Sequence, residues 1–141
     1  GNDLQAAAPL YVKSHSIGEF VWDHVWADVA YQLDTQYYPK LVGMSPVTPA
    51  IGYRFLIAPG EDEEALTATM LRQIQEFCEK NDISGCAFNF VDEDWRQLIE
   101  RLGYTSWRHQ SFGWTNDGFQ SFDDYLGQFN KNQRKNIRKE R

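Results

Sequence analysis

Short apolar runs alternate along this chain with longer stretches of helical period. That alternation restricts the fold more than any other feature. The clearest helical stretch is Glu61 to Lys80, where Leu66, Met70, Ile74 and Phe77 recur at i, i+4, i+8 and i+11. Its first turn carries acids from Glu61 to Glu64, where the helix dipole favours negative charge. Asp92 to Leu102 reads as a second helix, opened by Asp92 as N-cap and closed by Gly103. Glu19 to Leu33 has the same period, with Phe20, Val21, Val25, Val29 and Leu33 near one stripe and Trp22, Trp26 and Ala30 near another. Apolar positions surround most of it, which predicts burial on more than one side. Phe122 to Phe129 is a short helix with Ser121 as its cap. Strand-like runs lie between these stretches. They are Leu4 to Ser14 (interrupted by Pro9), Tyr38 to Val47 (ending at Ser45-Pro46), Tyr53 to Ile57, Ser84 to Val91, and Thr105 to Thr115 with Trp107, Phe112 and Trp114. The order β-α-β-β-α-β-α-β-α predicts an α/β domain, a mixed central sheet flanked by helices on both faces.

Charge divides the chain unevenly. Residues 131–141 hold Lys131, Arg134, Lys135, Arg138, Lys139 and Arg141 against Glu140, so six bases and one acid give +5. The remaining eight bases and nineteen acids give −11, for a total of −6. Helical placement puts Arg134, Arg138 and Arg141 on one face with Lys131 and Lys135 beside them. Such a segment is either a solvated, fraying end or a cationic helix that meets phosphate or a carboxylate-rich ligand. The basic pattern runs to Arg141 without a cap, Gly or Pro. We therefore expect a piece of a larger protein: a domain over 1–130, incomplete at its N-terminal side, and a basic helical segment over 131–141 leading to a second half. Apolar residues make up 42% of the chain, enough for a core, and no apolar run approaches the roughly 20 residues a membrane span needs. No signal peptide is visible in residues 1–141, whose start need not be the protein's own, and with only Cys78 and Cys86 we expect a cytoplasmic chain with two free core thiols. His15, His24 and His109 form no ligand cluster, so no metal is expected.

Chemistry-bearing residues gather at two places. His15, Glu19, Asp23 and Asp28 surround the strand-to-helix junction at 14–19. His15 is the natural general base there, against the alternative of ordinary capping by Ser14 or Ser16 and a solvated face. Asp23 stands between Trp22 and Trp26, and a carboxylate on an aromatic-rich helix calls for a cation or a function. Lys40, in Tyr37-Tyr38-Pro39-Lys40, is the partner at hand. Trp22, Trp26, Tyr37 and Tyr38 form either a stacking surface for a sugar or peptide acceptor or plain core packing. Ser45 and Thr48, on the stiff Pro46 to Pro49 loop, offer hydroxyls to a ligand.

Three stretches in this order, AAAPLYVKSHSIGEFVWDHVWADV, YYPKLVGMSPVTPAIG and FDDYLGQFNKNQRKNIRKER, resemble the FemAB-like family. These are predicted bacterial N-acyltransferases with GNAT-type folds, labelled for peptidoglycan biosynthesis or recognition by analogy with Fem peptidyltransferases. The resemblance spans nearly the whole chain. It implies one GNAT-like half (the acyl-CoA N-acyltransferase fold) of a two-half protein, with an amine acceptor such as a cell-wall precursor. Where the family pattern carries Phe-His-Trp, this chain has Phe112-Gly113-Trp114, so no role of that His transfers. The resemblance implies acyl-CoA or aminoacyl-tRNA as donor substrate, with no tightly bound cofactor. A CoA site would fall between the 38–47 and 84–91 strands and at the turn before the Glu61 helix. Four successive acids, a single Gly52 and only Arg54 nearby oppose a diphosphate there. Aminoacyl-tRNA therefore fits better, with Lys131, Arg134, Lys135 and Arg138 on its phosphates. His15 and Asp23 then serve catalysis, and Trp22, Trp26, Tyr37, Tyr38, Lys40, Ser45 and Thr48 serve the acceptor. The competing reading is a binding module that recognises a cell-wall peptide or an RNA end. A third is pairing of two copies through an exposed sheet edge.

Overall fold

The computed structural model describes residues 3–46, 48–110 and 112–141. They divide into two compact units, Gly1–Ser106 and Trp107–Arg141. In chain order the first unit holds β1 (Ala6–Ala7), β2 (Leu10–Lys13), α1 (His24–Gln32), β3 (Lys40–Gly43), β4 (Leu56–Ile57), α2 (Glu63–Lys80), β5 (Cys86–Phe88) and α3 (Glu93–Arg101). The second holds α4 (Phe122–Gly127) and α5 (Lys131–Glu140).

β3 organises the first unit, because all four of its residues are buried. β2 runs antiparallel to it, with Leu10 opposite Gly43 and Lys13 opposite Lys40. β5 runs parallel on the other side, with Leu41 opposite Cys86 and Gly43 opposite Phe88. The chain is thus a mixed α/β structure, but the single central sheet expected from the sequence is smaller and divided. Leu4 to Ser14 is not one strand. Pro9, which lacks an N–H, separates β1 from β2, and β1 pairs antiparallel with β4 instead. Beyond Asn89, whose N–H donates to Gly43 O at 2.8 Å, the chain leaves β3. The carbonyl of Phe90 accepts from Gly52 N at 2.8 Å and Tyr53 N at 3.1 Å.

The core forms where α2 and α3 cover this sheet. α3 starts as the sequence predicts, because Asp92 Oδ1 accepts from Asp94 N and Trp95 N, both at 3.1 Å. Its buried residues Trp95, Leu98 and Ile99 fall at i, i+3 and i+4. Burying each aliphatic side chain contributes about 1.5–3 kcal/mol. Tyr53, Phe55, Phe88 and Trp95 interlock with ring centroids 4.9–6.0 Å apart, mostly edge to face. Gly43 lies beneath this group: a Cβ there would stand 2.7 Å from Phe88 Cδ1 and closer still to the Tyr53 hydroxyl. α2 is capped by Asp62, whose carboxylate accepts from Ala65 N at 3.0 Å. Cys78 and Cys86 are free thiols, and burial pushes Cys86 up to about 12.

Two sequence expectations fail. The helix predicted over 19–33 begins only at His24, and none of its residues is buried. Trp22 and Tyr31 are 78% and 87% exposed, so apolar periodicity here does not mean enclosure. The strand predicted over Thr105 to Thr115 is absent among its described residues, and Trp107, Phe112 and Trp114 are exposed. These aromatics carry strand propensity, but among the described residues none of them belongs to a ladder. The predicted strand over 38–47 shortens to β3, and Val47 lies outside the described residues.

In the second unit, Ser121 caps α4 by accepting from Asp124 N at 3.1 Å. Asn130 and Gln133 form a capping box on α5. Tyr125 collects Trp114, Phe119, Phe122 and Phe129 around its ring.

Candidate functional site

Lys40 opens β3 and is only 6% exposed, an uncommon position for an ammonium group. It is buried because the segment between β2 and α1 folds over it with matching groups. Lys40 Nζ lies 2.5 Å from Asp23 Oδ2 and 3.3 Å from Glu19 Oε2, and it donates to Ser16 Oγ at 3.0 Å. Tyr37 OH donates to the same Asp23 oxygen at 2.8 Å, and the Tyr38 and Ser16 hydroxyls share a hydrogen bond of 2.8 Å. The Lys40 ammonium also stands 5.2 Å and 5.6 Å from the ring centroids of Tyr37 and Tyr38, which are packed edge to face.

Glu19 is 1% exposed and Asp23 5%. Two carboxylates therefore share one fully buried cation. Lys13 Nζ, nearer to solvent, lies 3.9 Å from Glu19 Oε1 and donates to Ile17 O at 2.9 Å. The Glu19 oxygens are close to both ammonium groups, yet neither accepts a well-aligned hydrogen bond, and Asp23 Oδ1 also lacks a donor. Glu19 is held by charge; Asp23 Oδ2 is held by charge and hydrogen bonds together. Burial alone would raise the Asp23 pKa, but hydrogen bonding from Lys40, with smaller help from Ser16 and Tyr37, outweighs it and holds the carboxyl below its ordinary value. Burial, and then the Asp23 carboxylate, push the Tyr37 phenol well up.

Of the residues singled out in the sequence, Asp23, Tyr37, Tyr38 and Lys40 converge. His15 is exposed, and its Nδ1 accepts from Ile17 N at 3.3 Å. Trp22 is exposed and Trp26 is half exposed, so neither is core packing. Ser45 is half-buried; Thr48 is exposed and donates to Pro46 O at 2.8 Å. Sequence reasoning passed over Ser16 as a cap and did not pair Glu19. Their spacing, Ser-x-x-Glu, is a helix-capping signature and conceals a tertiary role.

Of the proposed phosphate ligands, Arg134 donates to Phe129 O at 2.6 Å and Arg138 pairs with Asp123 at 2.8 Å. Arg141 lies 4.2 Å over the Phe122 ring. The arginine stripe thus packs α5 onto α4. Lys131, Lys135 and Lys139, at i, i+4 and i+8, are exposed. Arg54, the cation nearest the first turn of α2, is paired with Glu63 and lies 3.7 Å from Asp92. Among the described residues, no three His, Cys, Asp or Glu side chains gather as metal ligands.

A family model for FemAB-like proteins, described as peptidoglycan biosynthesis/recognition, matches residues 1–141. The chain belongs to the FemAB-like family. No curated protein and no solved structure matches it. No helix among the described residues of this FemAB-like chain is long and apolar enough to cross a membrane. Its buried Lys40 cluster lies within the first two of the three stretches that carry the family resemblance.

Proposed function

We propose that this FemAB-like chain serves an N-acyltransferase that moves an acyl or aminoacyl group onto an amine of a cell-wall precursor. The observation that carries the reading is the buried Lys40 cluster, which joins Asp23, Tyr37 and Tyr38 from separate parts of the chain. A buried ion pair is weak evidence for stability, and a carboxylate perturbed by burial and a specific cation is a candidate functional group.

In the proposed reaction the acceptor nitrogen attacks the activated carbonyl carbon. A C–N bond forms, the bond from that carbon to the carrier oxygen or sulfur breaks, and a proton leaves the nitrogen. Asp23, kept ionised at neutral pH, carries in Oδ1 an acceptor that no protein donor engages. The atom is buried here, so the segment over Lys40 must open for the acceptor amine to enter, hydrogen-bond to it and have its lone pair oriented. Lys40 fixes Asp23 and balances its charge. Tyr37 and Tyr38 flank the acceptor stem. His15, exposed beside the cluster, takes the proton. Trp22, Trp26, Ser45 and Thr48 are proposed acceptor contacts. Lys131 and Lys135, with Arg134 and Arg138 behind them, face a phosphate-bearing donor, with aminoacyl-tRNA favoured over acyl-CoA because Arg54 is already neutralised by carboxylates.

The test is direct. Supply the chain with aminoacyl-tRNA or acetyl-CoA and a cell-wall stem peptide, and follow amide formation by mass spectrometry. Asp23→Asn is expected to lower kcat/KM by about tenfold or more while circular dichroism remains native. Peptide binding without product, lost in Asp23→Asn, would replace the transferase by a recognition module. Neither binding nor product would end both readings.

A further inference from the structure

Ser16 and Glu19 have two competing uses in this chain. Ser16-Ile17-Gly18-Glu19 is the Ser-x-x-Glu pattern of a capping box, placed immediately before a stretch of helical apolar period. Val21, Val25 and Val29 share one face of that stretch, and Trp22 and Trp26 another. Ser16 as cap would start this helix at Ile17, two residues before the Glu19 start read from apolar period alone. In the structure α1 starts only at His24, and the same capping groups are engaged elsewhere: the Ser16 hydroxyl with Lys40 and Tyr38, the Glu19 carboxylate beside Lys40 and Lys13.

Three further features mark residues 16–23 as a helix held open. Asp23 occupies the N-cap position of α1, yet its side chain makes no capping bond because it is drawn to Lys40. Phe20 has φ 58 and Gly18 φ 85, left-handed values that no α-helix contains and that are unfavourable for Phe. Ile17, Phe20 and Trp22 are 79%, 50% and 78% exposed, so little apolar burial holds the segment down. Residues 16–19 close instead as a β-turn, with Glu19 N donating to Ser16 O at 3.3 Å and Gly18 at the left-handed position.

We propose that residues 16–23 form a two-state strap: clamped on Lys40 as seen here, or wound onto α1 as its N-terminal extension, capped by Ser16 and Glu19. Winding removes Ser16, Glu19 and Asp23 from Lys40 and uncovers Lys40, Tyr37 and Tyr38. If those residues are the acceptor site, as proposed above, the strap gates entry to it: the acceptor reaches Tyr37 and Tyr38 with the strap wound, and re-clamping returns Asp23 to Lys40 beside it. The conformational claim itself needs no substrate.

The experiment uses the full chain, labelled with ¹³C and ¹⁵N, and reads ¹³Cα shifts and amide exchange over 17–23. Gly18→Ala leaves every group on Lys40 in place while penalising the left-handed φ and favouring helix. It is expected to move the ¹³Cα shifts of 19–23 toward helical values and slow exchange of amides 20–23 by about tenfold. Lys40→Met is expected to do the same more completely, and adding Ser16→Ala to it should reverse much of the gain. Should Lys40→Met unfold, Gly18→Ala decides alone. Non-helical shifts at 19–23 in folded Gly18→Ala, or loss of stability with no gain of helix, would overturn the strap. Both readouts are taken without donor or acceptor, so a failed transferase assay leaves them independent.

Discussion

Asp23 and Lys40 are seventeen positions apart in sequence and 2.5 Å apart in space. Their pairing sets the acid response of the chain. The folded-state pKa of Asp23 is lowered, so folding favours its ionised form. Its contribution is present above the unfolded pKa of about 3.9 and is lost as pH falls through the lower folded value. Asp23→Asn should therefore flatten the acid limb of stability, removing up to one proton of uptake on unfolding, about 1.4 kcal/mol per pH unit at most. Urea unfolding from pH 5 to pH 2 measures this; parallel curves for the two proteins would refute it. The Asp23 to Lys40 pairing was legible in sequence because a carboxylate between two tryptophans needs a cation. Glu19 was not paired, because an acid in what looks like a helical first turn already has a local explanation.

At the scale of elements, helices with internal caps were read correctly in type, and their starts moved by a residue or two. Asp92 and Ser121 accept the capping bonds that the sequence assigns them, whereas Asp62, placed by the sequence in the first turn of α2, is its cap. Capping depends on residues three apart, so local sequence suffices. Strands depended on partners. Leu4 to Ser14 divided at Pro9, and Thr105 to Thr115 found no ladder among its described residues. The sheet has one further requirement that the sequence hid. Gly43 admits the Tyr53 and Phe88 rings, stacked at 6.0 Å, over β3. Gly43→Ala should overpack this contact and cost about 1–3 kcal/mol. A urea midpoint equal to that of the parent would show that the rings move aside without loss.

At the scale of the whole molecule, charge follows the two units. Residues 1–106 carry seven bases and sixteen acids, a net −9; residues 107–141 carry seven bases and four acids, a net +3. The exposed Lys131, Lys135 and Lys139 stripe is the surface proposed for a polyanion, since Arg134 is engaged with the Phe129 carbonyl and Arg138 with Asp123 of α4. Binding of the intact chain to a single-stranded oligoribonucleotide, titrated across salt, should weaken with a log–log slope. Replacing Lys131 and Lys135 with Ala should reduce that slope by about 1.4. Arg138→Ala, which removes a cation already paired with Asp123, should change it less. Equal effects from all three positions would place the arginine, too, on the polyanion.

The sequence by itself determined what is local or compositional: the mixed α/β alternation, the capped helices, the separation of charge and the motifs that place the chain in its family. Tertiary structure decided which similar-looking patterns took effect. Ser16, Glu19 and Asp23 match the start of a helix, yet the buried ammonium of Lys40 draws them away. At a few ångströms in a poorly solvated setting, a charge outweighs the roughly 1 kcal/mol that a helix cap contributes. Tyr37 and Tyr38 adjoin Lys40 in sequence, but no local window contains both Lys40 and Ser16, Glu19 or Asp23.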